Sequence, residues 1–249
     1  LEQKDCEVGY SAQAGAWSLP QGDAQVIAKV EVLRASQGFD LDGTLRDLPA
    51  PREDDVASLF AEYGLTDTLT LQFRSEWQRG LDAFADYEGL GPTEIGVRWQ
   101  AWRDDHNAVA LYVGYATPGE GRNAGYAAPG EGEGDWEARL LAGHSGTYDW
   151  LGGRAFIEAQ AARRFRSGLP DEARGDLTFG VEAVDGWLML TQVYGGQTLD
   201  GGEAAWLNGE VSVVRRLGDW SVQAGWREPV AGREAPAQRG LVLAIWRRF

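Results

Sequence analysis

The stretch Thr66-Asp67-Thr68-Leu69-Thr70-Leu71-Gln72-Phe73-Arg74-Ser75-Glu76-Trp77-Gln78 decides the fold class. Leu69, Leu71, Phe73 and Trp77 share one parity, and Thr70, Gln72, Arg74 and Glu76 share the other. A period of two sends the apolar set to one face of a β-strand and the polar set to the opposite face. The preceding pair Thr66-Asp67 is short enough to be a hairpin turn.

The same period recurs in both directions from this segment. Ile95, Val97, Trp99 and Ala101 alternate with Glu94, Arg98 and Gln100, and Trp136, Ala138, Leu140 and Ala142 oppose Glu137 and Arg139. Leu177, Phe179, Val181 and Ala183 oppose Asp176, Thr178 and Glu182, and Trp220, Val222, Ala224 and Trp226 oppose Ser221, Gln223 and Arg227. Extending this reading predicts about twelve strands, over residues 24–36, 56–65, 68–79, 93–103, 108–116, 136–145, 151–165, 174–184, 187–197, 205–217, 220–228 and 239–249. Helical periodicity is weak throughout, with residues 54–63 the only stretch that tempts a helix. Strand 187–197 is the least clear, because Leu188-Met189-Leu190 is apolar on both faces.

The connections carry the architecture. Short links at 66–67, 104–107, 146–150, 185–186 and 218–219 alternate with longer polar ones at 37–55, 80–92, 117–135, 166–173, 198–203 and 229–238. In an up-and-down barrel that alternation gathers the short turns at one rim and the long loops at the other. Bacterial outer-membrane barrels are arranged this way, with periplasmic turns and extracellular loops. A soluble sandwich has no reason to sort its loops so.

In a soluble barrel the apolar face points inward; in a membrane barrel it points outward. Large charges of both signs on the polar face suit a wet lumen. The apolar face is aliphatic at mid-strand and aromatic toward strand ends. Tyr63, Trp99, Tyr148, Trp150 and Trp220 lie near the short-turn rim, and Trp77, Tyr115, Trp136 and Trp226 near the long-loop rim. Two such belts are expected where rings sit among lipid headgroups. Leu241, Leu243 and Ile245 share their parity with Phe249, which looks like the strand signal read by barrel-assembly machinery. The reading is an all-β transmembrane up-and-down antiparallel barrel in the outer membrane of a Gram-negative bacterium. Lipid offers no hydrogen-bond partners, so such a sheet must close.

Bulk composition narrows the function. With 38 acidic and 23 basic residues the formal charge is −15, which repels phosphate backbones and argues against nucleic-acid binding. The 34 glycines and 11 tryptophans fit tight turns and interfacial aromatics. No stretch approaches the roughly 20 apolar residues of a spanning helix. The opening Leu1-Glu2-Gln3-Lys4-Asp5-Cys6 lacks the blocks of a signal peptide, so an exported chain would be in its mature form. Cys6 is the single cysteine, so neither an intrachain disulfide nor a cysteine metal site is expected.

Four segments carry a family resemblance: Ala16-Trp17-Ser18-Leu19-Pro20-Gln21-Gly22, Phe39-Asp40-Leu41-Asp42-Gly43, Glu62-Tyr63-Gly64-Leu65-Thr66-Asp67, and Val230-Ala231-Gly232-Arg233 with the close Trp246-Arg247-Arg248-Phe249. Their order resembles the proteobacterial outer-membrane channel family labelled "meta-pathway of phenol degradation-like". The resemblance implies a twelve-stranded monomeric channel with proposed roles in uptake of small, often aromatic, compounds.

For a channel, the functional set is the inward ladder Lys29, Glu31, Arg74, Glu76, Glu94, Arg98, Glu137, Arg139, Glu158, Glu182, Glu210, Arg227 and Arg248. Opposed carboxylates and guanidinium groups set a transverse field and a size limit; alternatively they pair and fill a small barrel. Phe60, Tyr112, Phe156 and Trp246 share the inward parity and could form an apolar ligand pocket. Acids crowd the long loops: Asp40, Asp42, Asp47, Glu53, Asp54 and Asp55 in the first, Glu120, Glu131, Glu133 and Asp135 in the third. They would give weak cation preference at the mouth or bind divalent ions of the lipopolysaccharide layer. Asp40-Leu41-Asp42-Gly43 has a faint calcium-loop look, but lacks the Glu spacing of an EF-hand.

Enzymatic chemistry finds no support. His106 sits in a short turn, His144 has outward parity, and the adjacent Ser145 points to the opposite face. Gly-rich 119–134 precedes no helix and reads as a loop rather than a phosphate cradle. The expectation is a porin-like channel for passive uptake of small solutes, with no cofactor and no metal, acting as a monomer. Its partners would be lipid and lipopolysaccharide, the solute, and the assembly machinery during biogenesis. Three alternatives stay open: a structural or adhesion barrel whose acidic loops bind a partner, a hydrophobic-ligand transporter releasing cargo sideways, and an outer-membrane enzyme. Residues 1–22 are read as an N-terminal periplasmic segment that partly plugs the lumen, because Trp17 and Leu19 would otherwise stand exposed in water, and residues 23–249 as the barrel.

Overall fold

The computed structural model describes residues 15–119, 126, 130 and 132–249. Cys6, Glu120 and Glu131 lie outside the described residues. The strands are β1 (Ala24–Phe39), β2 (Leu45–Thr66), β3 (Leu69–Leu81), β4 (Asp86–Leu90), β5 (Glu94–Arg103), β6 (Asn107–Ala116), β7 (Asp135–Tyr148), β8 (Gly153–Arg166), β9 (Glu172–Val184), β10 (Trp187–Thr198), β11 (Ala205–Leu217), β12 (Trp220–Arg233), β13 (Ala235–Pro236) and β14 (Arg239–Arg248). One antiparallel sheet holds them all, and β1 pairs both with β2 and with β14. Without the short pieces β4 and β13, twelve long strands close the barrel. The closing seam runs without a register shift from Gln25↔Arg248 to Arg34↔Arg239. Phe249 completes it by exchanging backbone hydrogen bonds with Ala24.

The apolar parity faces outward. Leu241, Leu243 and Ile245 are each about half exposed, whereas the intervening Val242 is 0 % exposed. Soluble proteins do not leave a continuous girdle of leucine, valine and isoleucine open to water; its partner is acyl chain. The aromatic belts are present: Tyr63, Trp99, Trp150 and Trp220 are exposed at the short-turn rim, and Trp77, Tyr115, Trp136 and Trp226 at the other. Trp187 and Phe249 join the first belt. At Leu188-Met189-Leu190, Met189 faces outward, while Leu188 and Leu190 turn into the lumen.

The sorting of turns holds, but the long links are shorter than the sequence suggests. The expected loop 37–55 is mostly hairpin: Gln37↔Asp47, Gly38↔Arg46 and Phe39↔Leu45 continue the β1–β2 ladder to a turn at Asp40. Asp47, Glu53, Asp54 and Asp55 therefore stand on β2. Above the lipid both faces of a strand meet water, so the hydropathic period of two fades there and the sequence reads as a loop. Residues 80–92 contain β4, which folds back onto β3. Residues 229–238 contain the end of β12 and β13, which pairs with β1.

Candidate functional site

The inward parity builds a lumen with two unlike halves. Toward the short turns it is apolar. Ile27, Phe156, Leu188, Leu190, Val214, Ala244 and Trp246 form one buried cluster, with Phe60 packed against it. Leu190 at 1 % and Val214 at 0 % exposure show that side chains fill the lumen at this level rather than line an open bore. A second cluster joins Ala108, Ala110, Tyr112 and Leu141 to Ala16 and Trp17, which precede β1. The four residues of the expected apolar pocket fall in two buried clusters, while Phe60 and Tyr112 both border one crevice between them. Phe156 and Trp246 sit inside the first cluster and Phe60 against it. Tyr112 belongs to the second, drawn to β5 by the 2.6 Å bond from its Oη to Glu94.

Residues 16–21 are fastened to the inner wall. Ala16 N donates to the buried Glu158 carboxylate at 3.0 Å, Ser18 N to Gln100 at 3.3 Å and Leu19 N to Thr70 at 3.3 Å. Arg98 Nη2 donates to Trp17 O at 2.9 Å while its Nη1 pairs with Glu62 at 2.7 Å. Trp17 lies against Gly143, where any Cβ would run into the indole, and residue 20 crosses Gly64 in the same way. These glycines leave room for a peptide to lie on the wall. Buried backbone amides need acceptors, and the wall supplies them from side chains on β3, β5 and β8.

Toward the long loops the wall is charged. Arg164 reaches Glu94 at 2.5 Å, Glu137 at 3.0 Å and Asp135 at 3.6 Å. Arg166 joins Asp135 to Glu172, and Arg174 joins Glu172 to Glu137, to which Arg139 Nε also donates at 3.0 Å. Across the barrel a second network links Lys29 to Glu31 at 2.8 Å, and Arg227 to both Glu31 and Glu210. Between them lies a chamber of about 300 Å³ lined by Lys29, Glu31, Arg74, Arg139, Arg174, Asp176, Tyr194, Trp206, Glu210 and Arg227 among others. Pairing of this density offsets the desolvation that an isolated lumen charge would suffer.

Of the ladder foreseen from sequence, Lys29, Glu31, Arg74, Arg139, Glu210 and Arg227 line the chamber. Glu76, Glu94 and Glu137 support it through their arginine partners. Arg98 and Glu158 instead hold the segment before β1. Glu182 and Arg248 belong to the short-turn rim: Glu182 pairs with Arg216 and accepts from Gly186 N, and Arg248 Nε donates to Gln25. The sequence reading missed Arg164, Glu172, Arg174, Tyr194 and Trp206. Parity alone marks all five as inward, Trp206 through its shared parity with Glu210 and Ser212 on β11. His144 faces outward and bonds Asn107 and Tyr148, at 2.7 and 2.8 Å, away from the lumen.

No protein-family model and no curated protein sequence matches the chain. Among solved structures, the outer membrane channel from Pseudomonas putida F1 superimposes with a TM-score of 0.72 at 16 % identity, covering 96 % of this chain and 100 % of that one. The translocator domain of the autotransporter NalP from Neisseria meningitidis gives 0.52 at 11 % identity, over 93 % and 90 %. The CymD monoaromatic hydrocarbon channel gives 0.50 at 10 % identity, again over 93 % of this chain and 89 % of that one. At such identities the likeness shows the fold. Together with the lipid-facing girdle, the chain is an outer-membrane β-barrel.

Proposed function

We propose that the chain is an outer-membrane channel for passive uptake of small solutes, with a polar chamber open toward the long loops and an apolar floor that gates it. The chamber carries this reading: a barrel serving only as an anchor has no use for about 300 Å³ of charge-lined space. Its likeness to channel structures supports the same reading, with no enzymatic step assigned to it. Residues 16–19, fixed across the floor, form a partial plug that must yield for a solute to pass. The fully buried aliphatic side chains beside it favour solutes with an apolar part, since such a body replaces side-chain contacts that a hydrated ion cannot. Acids at the mouth, Asp40 and Asp42 among them, add a weak cation preference screened within a Debye length of about 8 Å at physiological salt.

The test is planar-bilayer conductance and liposome swelling of the refolded protein. Discrete current steps and swelling with small solutes are expected. Absence of both would overturn the channel reading.

A further inference from the structure

One row of the inner wall joins apolar and cationic groups at the boundary of the two halves. The ladders place Ile27 on β1 opposite Phe60 on β2, Phe60 opposite Arg74 on β3, and Arg74 opposite Glu94 on β5. Opposite residues on one face have Cβ atoms about 4.5–5.5 Å apart, so an aromatic ring and a guanidinium stand side by side. Both border a crevice of about 40 Å³ together with Ile27, Ser58 and Tyr112. Arg74, Lys29, Arg139 and Gln223 border the crevice and the larger chamber alike, so the two spaces meet at these residues.

Arg74 differs from the other lumen arginines. Its side chain is 43 % exposed, against 9 % for Arg164, 13 % for Arg227, 19 % for Arg139 and 30 % for Arg174. Among the described residues its ion pair is with Glu76, through Nη2. The facing carboxylate, Glu94, is engaged by Tyr112 Oη at 2.6 Å and Arg164 Nη2 at 2.5 Å. A guanidinium with one edge open prefers a planar anion, which it can meet with two parallel hydrogen bonds.

Resting on the channel reading, we propose that this row is a solute subsite for small aromatic monocarboxylates, the carboxylate on Arg74 and the ring on Phe60 and Ile27. The crevice of about 40 Å³ is smaller than the roughly 150 Å³ that encloses a benzene ring, so only the edge of the ring enters it against Phe60, and the rest stays in the chamber that Arg74 also borders. The acidic mouth does not forbid an anion here. Leu81 stands seven positions along β3 from Arg74, roughly 23 Å of strand at about 3.3 Å each and nearly three Debye lengths. The subsite selects for both ends of the molecule at once.

Binding of radiolabelled benzoate to the detergent-solubilised protein tests this, with benzyl alcohol and acetate as competitors lacking the charge or the ring. Benzoate should compete at least tenfold better than either. Arg74→Ala and Phe60→Ala should each weaken it about tenfold or more, and Arg74→Lys should restore only part. Glu76→Gln, which frees the bound edge of the guanidinium, should tighten benzoate several-fold, a gain that a misfolded variant cannot imitate. Equal competition by benzyl alcohol, or weaker binding in Glu76→Gln, would overturn the subsite. Bilayer currents are recorded separately. Current without benzoate selectivity sinks the subsite alone, whereas selective binding without current sinks the channel reading and leaves the site.

Discussion

Replacing Trp17 by alanine removes the largest apolar contact between the segment before β1 and the inner wall. Trp17 is 7 % exposed, packed among Ala108, Ala110, Tyr112 and Leu141 with its ring against Gly143. Truncating a buried Trp to Ala costs about 3–5 kcal/mol. The wall strands are held by their own ladders, so the loss falls on docking of the segment. At about 1.4 kcal/mol per factor of ten, the docked-to-undocked ratio falls by on the order of 10²–10⁴. The bonds from Ala16, Ser18 and Leu19 to Glu158, Gln100 and Thr70 remain, and each neutral one is worth about 0.5–1.5 kcal/mol. The segment should therefore loosen without the barrel unfolding. Hydrogen exchange at the amides of Ser18 and Leu19 should quicken by a comparable factor, and single-channel records should show longer open periods. Unchanged exchange would refute the role of Trp17 as the anchor. Faster exchange with unchanged currents would refute the segment as a gate.

On the lipid face, Leu243→Arg puts a charge at mid-strand on a residue 49 % exposed to acyl chain and should cost about 2–4 kcal/mol in denaturant titrations of the protein in vesicles. Leu41→Arg, at the hairpin tip, should stay within about 0.5 kcal/mol of the parent, and equal costs at both positions would contradict the placement of the girdle. Asp40 organises the tip of the β1–β2 hairpin, accepting from Thr44 N at 2.8 Å, Arg46 Nε at 3.0 Å and Asp42 N at 3.0 Å. The Thr44 amide first, then Arg46, hold its carboxyl below its ordinary 3.8. A depressed carboxyl supports the folded turn fully above the ordinary value and loses that support as pH falls through the lowered one. Thr44 amide protection should accordingly persist at neutral pH and fade only in acid. Asp40→Asn should remove that acid dependence, and protection that fades near neutrality would overturn the assignment.

The sequence by itself determined the barrel, because each of its signals is local. Alternation in Leu69, Leu71, Phe73 and Trp77 needs only the pleat, and the outward assignment needs only the inward charge of Arg74 and Glu76 with aromatics at both strand ends. Short turns such as Asp185-Gly186 and Gly218-Asp219 need only residues that tolerate a tight reversal, and both glycines adopt positive φ. Tertiary structure alone decided what the lumen is. Parity placed Phe60, Tyr112, Phe156 and Trp246 on one face, but their separation into two clusters depends on which strands lie near each other around the circumference. Glu158 and Arg98 were legible as inward charges, yet their partners are the Ala16 amide and the Trp17 carbonyl, 142 and 81 residues away in sequence. No periodicity encodes such a meeting. It follows from closing the β1–β14 seam, which fixes the register around the barrel and sets the charged chamber above an apolar floor.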